Sequence, residues 1–210
     1  MGLTPYSDAL AIQQEVHHSI LDGEEDTLLF CEHPHVYTFG KSANKNNLLI
    51  SPDFLQHINA EVHKIDRGGD ITYHGPGQLV GYPIMHLRKH AMGVKKYVDT
   101  LELSIIKALA SFNIEAYQLD GLTGIWVGKK TETKRKIGAI GIRVRNGVSM
   151  HGFALNVTTD LSYFEHIVPC GINNKAVTSI YQEIGKGTVA EFMTAFHESF
   201  AIEWQKALTL

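Results

Sequence analysis

The sequence has very little cysteine and no long hydrophobic run. Only two of its 210 residues are cysteines, Cys31 and Cys170, and neither belongs to a CxxC pair. This excludes a disulfide framework, and two isolated thiols are typical of a cytoplasmic protein. No apolar stretch is long enough to span a bilayer, so a membrane segment is not expected. Residues 1–23 also lack the uninterrupted apolar core of a signal peptide.

Excess charge of either sign is also absent. The formal net charge is −3, and 44% of the residues are hydrophobic and 20% charged, as is typical of a globular protein. We predict a single domain that comprises residues 1–210. Binding to nucleic acid through a broad basic surface is not expected. The one basic cluster, within residues 129–136, is interpreted as a solvated hairpin tip, with attraction of an acidic partner as the alternative.

Apolar periodicity and boundary signals predict alternating helices and strands. The fold class is therefore α/β, a mixed sheet packed with helices. Thr4 is expected to cap the first helix, Thr188 and Glu191 form a capping box, and Asn146-Gly147 is expected to form a type I′ hairpin turn. The predicted helices are 5–21, 52–58, 94–112 and a final helix after 188, and the predicted strands are 26–31, 61–65, 78–87, 124–127, 137–144 and 148–157.

Two predicted helices carry clear apolar stripes. The stripe of the long central helix is expected to pack on the sheet, and the final helix has an aromatic face. Core packing explains both stripes without any functional role. The stripe residues are Val94, Val98, Leu101, Ile105, Leu109 and Phe112 in the first helix, and Phe192, Phe196, Phe200 and Trp204 in the second.

Residues 67–78, RGGDITYHGPGQ, place four glycines and a proline between two predicted strands. Glycine accepts positive φ and permits close approach of a ligand, as in phosphate-binding loops. However, neither GxxxxGK[ST] nor GxGxxG occurs, and a strand rather than a helix is predicted to follow. These absences argue against a nucleotide site.

Cys31, His33 and His35 alternate along one segment and could share a face suited to zinc. Pro34 interrupts that segment and no fourth ligand stands at a characteristic spacing, so a metal site is not expected.

Cys170 stands in VPCGI, between a proline that stiffens the chain and a glycine that leaves space beside the thiol. A nucleophile needs such access. Spacing alone leaves open the alternative of a small buried apolar residue.

Several motifs occur in order along most of the chain. They are EHPHVYTFG, RGGDITYHGPGQLVGYPI, GIWVGKK, KIGAIGIRV, HGFALNV and IVPCGINNKAVTSI. Together they resemble the lipoyl (octanoyl) transferases, which move an octanoyl group from acyl carrier protein to a lysine of lipoate-dependent proteins. The resemblance implies the fold of the biotin and lipoate protein ligases and an acyltransferase activity that needs no cofactor.

The resemblance also implies partners and site residues. The donor would be octanoyl acyl carrier protein, and the acceptors would be lipoyl domains of 2-oxoacid dehydrogenase E2 subunits and the glycine cleavage H protein. Cys170 would accept the acyl group, with Lys136 as its partner. The acyl group would contact Arg67, Gly68, Gly69, Asp70, Ile71, Thr72, Tyr73, His74, Ala139, Ile140, Gly141, Gly152, Phe153 and Ala154.

The pairing of Cys170 with Lys136 is chemically reasonable, because a free thiol with a pKa of about 8.5 is only slightly ionised at neutral pH and a nearby ammonium raises the thiolate fraction. His74 has two open roles, a hydrogen bond at the thioester end or support of its loop. Arg67 is expected to hold the loop or the carbonyl end. Two alternatives remain: an ATP-dependent lipoate or biotin ligase, which needs no cysteine nucleophile, and a non-catalytic scaffold that binds carrier proteins.

Overall fold

The computed structural model describes residues 1–128, 134–168 and 176–209. None of the helices in these ranges combines the length and apolar character needed to cross a membrane. In chain order the elements are α1 (Tyr6–Leu21), β1 (Thr27–Cys31), β2 (Val36–Phe39), α2 (Pro52–His57), β3 (Glu61–Lys64), β4 (Ile71–His74), β5 (Gln78–Ile84), α3 (Val94–Ala110), β6 (Ala116–Leu119), β7 (Leu122–Val127), β8 (Arg135–Arg145), β9 (Val148–Asn156), β10 (Ala176–Val177), α4 (Ile180–Ile184) and α5 (Val189–Thr209).

The described strands form two sheets. The larger has the order β1-β5-β9-β8-β7-β6, with β10 paired in parallel to the start of β8. The smaller has the order β3-β2-β4, in which β2 and β3 are parallel. Hairpins and helical connections therefore both occur, and the predicted mixed α/β architecture is confirmed.

The two faces of the large sheet are covered differently. Leu79, Phe153 and Leu155 belong to the main core, which includes the apolar residues of α3 and α5. Val80 and Ala154 alternate with them and pack with Ala9 of α1. Because successive side chains of a strand point to opposite faces, one face of the large sheet packs against α3 and α5 in the main core. The other is available for α1 and for the cavity described below.

The aromatic face predicted for the final helix is confirmed, since Phe192, Phe196, Phe200 and Trp204 are all buried. In the α3 stripe, Leu101, Ile105 and Leu109 are fully buried, whereas Val94 is 51% exposed at the first turn of the helix.

The structure also corrects two predictions from the sequence. Pro5, not Thr4, is the N-cap of α1, and no side chain caps that helix. The glycine-rich stretch is partly a strand, because β4 pairs antiparallel with β2. The sequence predicted neither β2, which follows Pro34, nor β6.

The capping box of α5 is present as predicted. The Thr188 backbone N–H donates to Glu191 Oε2 at 2.8 Å, and the Glu191 N–H donates to Thr188 Oγ1 at 3.2 Å. Replacing Thr188 by alanine should lower the free energy of unfolding by about 1 kcal/mol, because the end of the helix loses a partner for a backbone N–H. Urea unfolding measures this difference. Thr194→Ala, in the middle of the same helix, is the control and should cost less than Thr188→Ala.

Candidate active site

A cavity of about 440 Å³ lies between the large sheet and the stretch that leads into β4. Its walls include nearly all predicted acyl contacts: residues 67–72 and His74 from that stretch, 139–141 from β8 and 152–154 from β9. Ala139 pairs with Ala154 and Gly141 with Gly152, so small residues meet across the two strands on the cavity side. This gives a largely apolar site with a few polar groups, which is the usual character of a small-molecule pocket.

Tyr73 is placed elsewhere. It is fully buried, its hydroxyl lies 2.7 Å from His35 Nδ1, and its ring stacks on Tyr163 at 4.9 Å. Among the predicted contacts it therefore holds the small sheet rather than lining the cavity.

Lys136 also lines the cavity, near the start of β8. Its Nζ donates to the Thr123 carbonyl at 3.1 Å and lies 5.2 Å from the centre of the Trp126 ring. A carbonyl dipole and an aromatic face both attract a cation. β7 therefore orients the Lys136 amine on the cavity wall.

Cys170 lies outside the described residues, as do Lys129 and Lys130 of the basic cluster. The described residues stop at Val168 and continue from Ala176. Val177 of β10 pairs with Lys136 of β8. The segment that contains Cys170 thus connects to the strand beside Lys136.

The glycine-rich stretch is fixed by two charged residues. Arg67 Nη2 donates to the Thr38 carbonyl at 2.7 Å and Nη1 donates to the Gly68 carbonyl at 2.9 Å. Asp70 accepts a hydrogen bond from Asn47 Nδ2 at 2.7 Å. The Arg67 guanidinium therefore holds the loop onto β2, one of the two roles expected for it.

The four glycines of the stretch divide into two pairs. Gly68 and Gly69 line the cavity. Gly77 has φ +77°, and a Cβ there would lie 2.8 Å from the Thr158 backbone carbon. A Cβ on Gly75 would collide with the Tyr73 ring. The second pair is therefore required for packing of the turn before β5.

Two buried histidines contribute polar atoms to the walls. Burial lowers the pKa of His74 to about 3, and burial together with Arg67 and Arg143 lowers that of His151 to about 4. His151 Nε2 lies 2.9 Å from Asp66 Oδ1, and Asp66 also pairs with Arg143. Both imidazoles are therefore neutral near pH 7.

Sequence reasoning missed several lining residues: Tyr6, Gln78, Tyr82, His151 and Asn156. His151 and Asn156 lie in the HGFALNV motif, and Gln78 and Tyr82 lie in RGGDITYHGPGQLVGYPI, so the motifs marked their neighbourhoods but not their contact with the cavity. Tyr6 reads as an ordinary helix position, because the contacts that bring it to the cavity join distant parts of the chain.

The suspected zinc ligands have other partners. His33 Nδ1 donates to the Thr4 carbonyl at 2.7 Å, and its Nε2 accepts from the Tyr82 hydroxyl at 2.7 Å. Burial raises the pKa of the Cys31 thiol to about 12. Over the ranges that the structure describes, no three potential metal ligands converge.

Comparison with known proteins decides the family. The family model for the lipoyl protein ligase A/B catalytic domain matches residues 5–201. The chain belongs to this family. An octanoyltransferase from Bacteroides fragilis (strain YCH46) is 50% identical over 190 residues, which cover 88% of this chain and 86% of the relative. One from Cytophaga hutchinsonii is 50% identical over 199 residues, covering 88% and 82%. The predicted octanoyltransferase resemblance and acyltransferase class are confirmed.

Solved structures confirm the fold of this lipoyl protein ligase A/B domain. A bi-partite lipoate protein ligase from Thermoplasma acidophilum superposes with a TM-score of 0.80 at 15% identity, covering 98% of this chain and 82% of that chain. Lipoate-protein ligase A bound with ATP gives a TM-score of 0.77 at 19% identity, covering 98% and 83%.

Proposed function

We propose that the protein transfers an octanoyl group from octanoyl acyl carrier protein to a specific lysine of lipoyl domains, through a thioester on Cys170. The observation that carries this proposal is the Lys136 amine on the wall of an apolar cavity, in a chain half identical to octanoyltransferases. The acceptors are lipoyl domains of 2-oxoacid dehydrogenase E2 subunits and the glycine cleavage H protein. Residues 1–210 act as one catalytic domain.

In the first half-reaction the sulfur of Cys170 attacks the carbonyl carbon of the carrier's octanoyl thioester. Lys136 receives the thiol proton. The bond between that carbon and the carrier's sulfur then breaks, and Lys136 returns the proton to the departing thiol. The products are octanoyl-Cys170 and the free carrier thiol.

In the second half-reaction the neutral amine of the acceptor lysine attacks the octanoyl-Cys170 carbonyl. The C–N bond forms, the C–S bond breaks, and a proton passes from the amine through Lys136 to the Cys170 sulfur. An amide is left on the acceptor and the enzyme is regenerated. Lys136 thus moves a proton in both halves.

A transfer assay without ATP tests this function. Octanoyl acyl carrier protein and an isolated lipoyl domain are mixed with the protein, and the lipoyl domain is weighed by mass spectrometry. Octanoylation without ATP is expected. Modification only from octanoate plus ATP would instead identify a ligase, and binding without modification would identify a scaffold.

The small residues that face each other across β8 and β9 should set the usable acyl length. Ala139→Leu adds three carbon atoms to the wall where Ala139 pairs with Ala154. Each buried methylene contributes about 0.8 kcal/mol, so displacing two of them should shift the kcat/KM ratio by about 15-fold from octanoyl towards hexanoyl donors. Competition between the two donors measures the shift.

Ala190→Leu, on an exposed position of α5, is the matched control and should keep the wild-type preference. An unchanged preference in Ala139→Leu would show that the acyl chain does not pass this pair of residues.

A further inference from the structure

A series of hydrogen bonds, which we call the His74 relay, connects His74 on the cavity wall through Gln78, Asn156 and Thr178 to Lys136 in β8. His74 Nδ1 lies 2.7 Å from Gln78 Oε1, and Gln78 Nε2 lies 2.9 Å from Asn156 Oδ1. Asn156 Nδ2 donates to the Thr178 carbonyl at 3.0 Å, and the Thr178 N–H donates to the Lys136 carbonyl at 2.9 Å. His74, Gln78 and Asn156 are all less than a tenth exposed.

Two backbone carbonyls fix the direction of every bond in this relay. The Thr178 carbonyl can only accept, so the Asn156 amide nitrogen faces it and the Asn156 oxygen faces Gln78. Gln78 must then present its nitrogen to Asn156, and the same nitrogen reaches the Tyr73 carbonyl at 3.2 Å. The Gln78 oxygen is left for His74.

The relay consequently fixes the tautomer of His74. An amide oxygen cannot donate, so His74 Nδ1 carries the proton and the unprotonated nitrogen is Nε2. His74 lines the same cavity as Lys136. The cavity wall therefore includes an imidazole whose remaining nitrogen is an acceptor and not a donor.

The surroundings of His74 keep it neutral. Burial is the main cause of its low pKa, of about 3, and His33, Arg67 and His151 lower it further. The Tyr6 ring stacks on it at 6.3 Å and the His33 ring lies at 5.8 Å. A group this weakly basic cannot remove a proton from a lysine, whose pKa is about 10.4. It also has no N–H at Nε2 to donate to an oxyanion.

We propose that His74 is a strict hydrogen-bond acceptor that orients the amine of the acceptor lysine, and that Gln78 and Asn156 are positioning residues for it. This inference rests on the proposed function. One N–H of the attacking amine is held by His74 Nε2, and the other proton leaves to Lys136. No proton is transferred to His74. A protonated Lys136 could not accept a hydrogen bond from the attacking amine, because an ammonium has only donors.

Two variants separate this role from support of the loop. His74→Asn retains an amide N–H for Gln78 Oε1 but has no acceptor at the Nε2 position, whereas His74→Gln puts an amide oxygen near that position. Because His74 also lines the cavity, formation of octanoyl-enzyme should fall in both variants, but by a clearly smaller factor than the second half-reaction does in His74→Asn. Transfer from octanoyl-enzyme to a lipoyl domain should fall about 10- to 100-fold in His74→Asn and be partly restored in His74→Gln. His90→Asn is the control, because His90 pairs with Asp26 and does not line the cavity, so both half-reactions should keep their wild-type rates.

Nitrogen NMR of the imidazoles in the resting protein gives a readout independent of activity. His74 should show a protonated Nδ1 and an unprotonated Nε2 at pH 7, even if the wild-type protein forms no octanoyl-enzyme. Absence of octanoyl-enzyme would refute the proposed function, whereas the NMR measurement tests the acceptor state of His74 on its own. A protonated Nε2, or equal losses in both half-reactions of His74→Asn, would overturn the role of His74. If His74→Asn does not fold, His74→Gln and the NMR measurement decide.

Discussion

Replacing Lys136 by methionine should lower octanoyl transfer by about 10²- to 10⁴-fold, the usual contribution of a positioned acid–base group. Methionine keeps an unbranched apolar side chain beside Trp126 but has no amine to move a proton. Both half-reactions should slow, because Lys136 acts in each. Single-turnover measurements of octanoyl-enzyme formation and of its transfer to a lipoyl domain report the two steps separately.

Lys95→Met provides the matched control. Lys95 is an exposed residue of α3 paired with Asp99, so its loss should leave transfer unchanged and hardly affect stability. Transfer within about threefold of wild type in Lys136→Met would exclude Lys136 as the acid–base group.

Gly124→Ala should have the second largest effect, about 10- to 100-fold on transfer, because it displaces the Lys136 side chain. A Cβ on Gly124, which has φ +127°, would lie 2.5 Å from Lys136 Cε, 2.8 Å from the Gly138 carbonyl oxygen and 3.0 Å from Lys136 Nζ. The Gly124 N–H donates to Glu102 Oε1 at 2.8 Å, so the backbone of β7 is held in place. The flexible Lys136 side chain is expected to move away from the Thr123 carbonyl, and the contact with the Gly138 carbonyl together with the positive φ should also lower stability.

Two comparisons isolate this cause. Gly185→Ala also replaces a glycine at positive φ, +69°, but its Cβ would meet nothing within 4 Å, so it should cost stability without lowering transfer. In the Lys136→Met background, Gly124→Ala should add little further loss, since the amine is already gone. Full additivity of the two effects would show that Gly124 does not act through Lys136.

The elements predicted well from sequence are those whose signals are local. The buried residues of α5 recur at helical spacing, and Asn146 and Gly147 have φ of +54° and +88°, the positive values that a type I′ turn requires. β2 could not be predicted in the same way. Its residues are buried by pairing with β3 and β4, whose positions are not encoded near Val36–Phe39.

The site also divides into residues marked by local motifs and residues placed by contacts between distant segments. The wall residues of β8 and β9 came from motifs, and the structure places them on one cavity. The His74 relay was not predictable, because it depends on the register that sets Gln78 opposite Asn156, 78 residues away. The packing roles of Gly75 and Gly77 likewise depend on contacts with Tyr73 and Thr158, which glycine content alone does not reveal.

The most direct test of the proposed mechanism is the mass of the protein after mixing with octanoyl acyl carrier protein alone. We predict one added octanoyl group, released by hydroxylamine, located on Cys170 by peptide mapping and absent in Cys170→Ala. Cys31 should remain unmodified, because burial keeps its thiol protonated. An octanoyl group on another residue, or undiminished transfer by Cys170→Ala, would contradict the thioester mechanism.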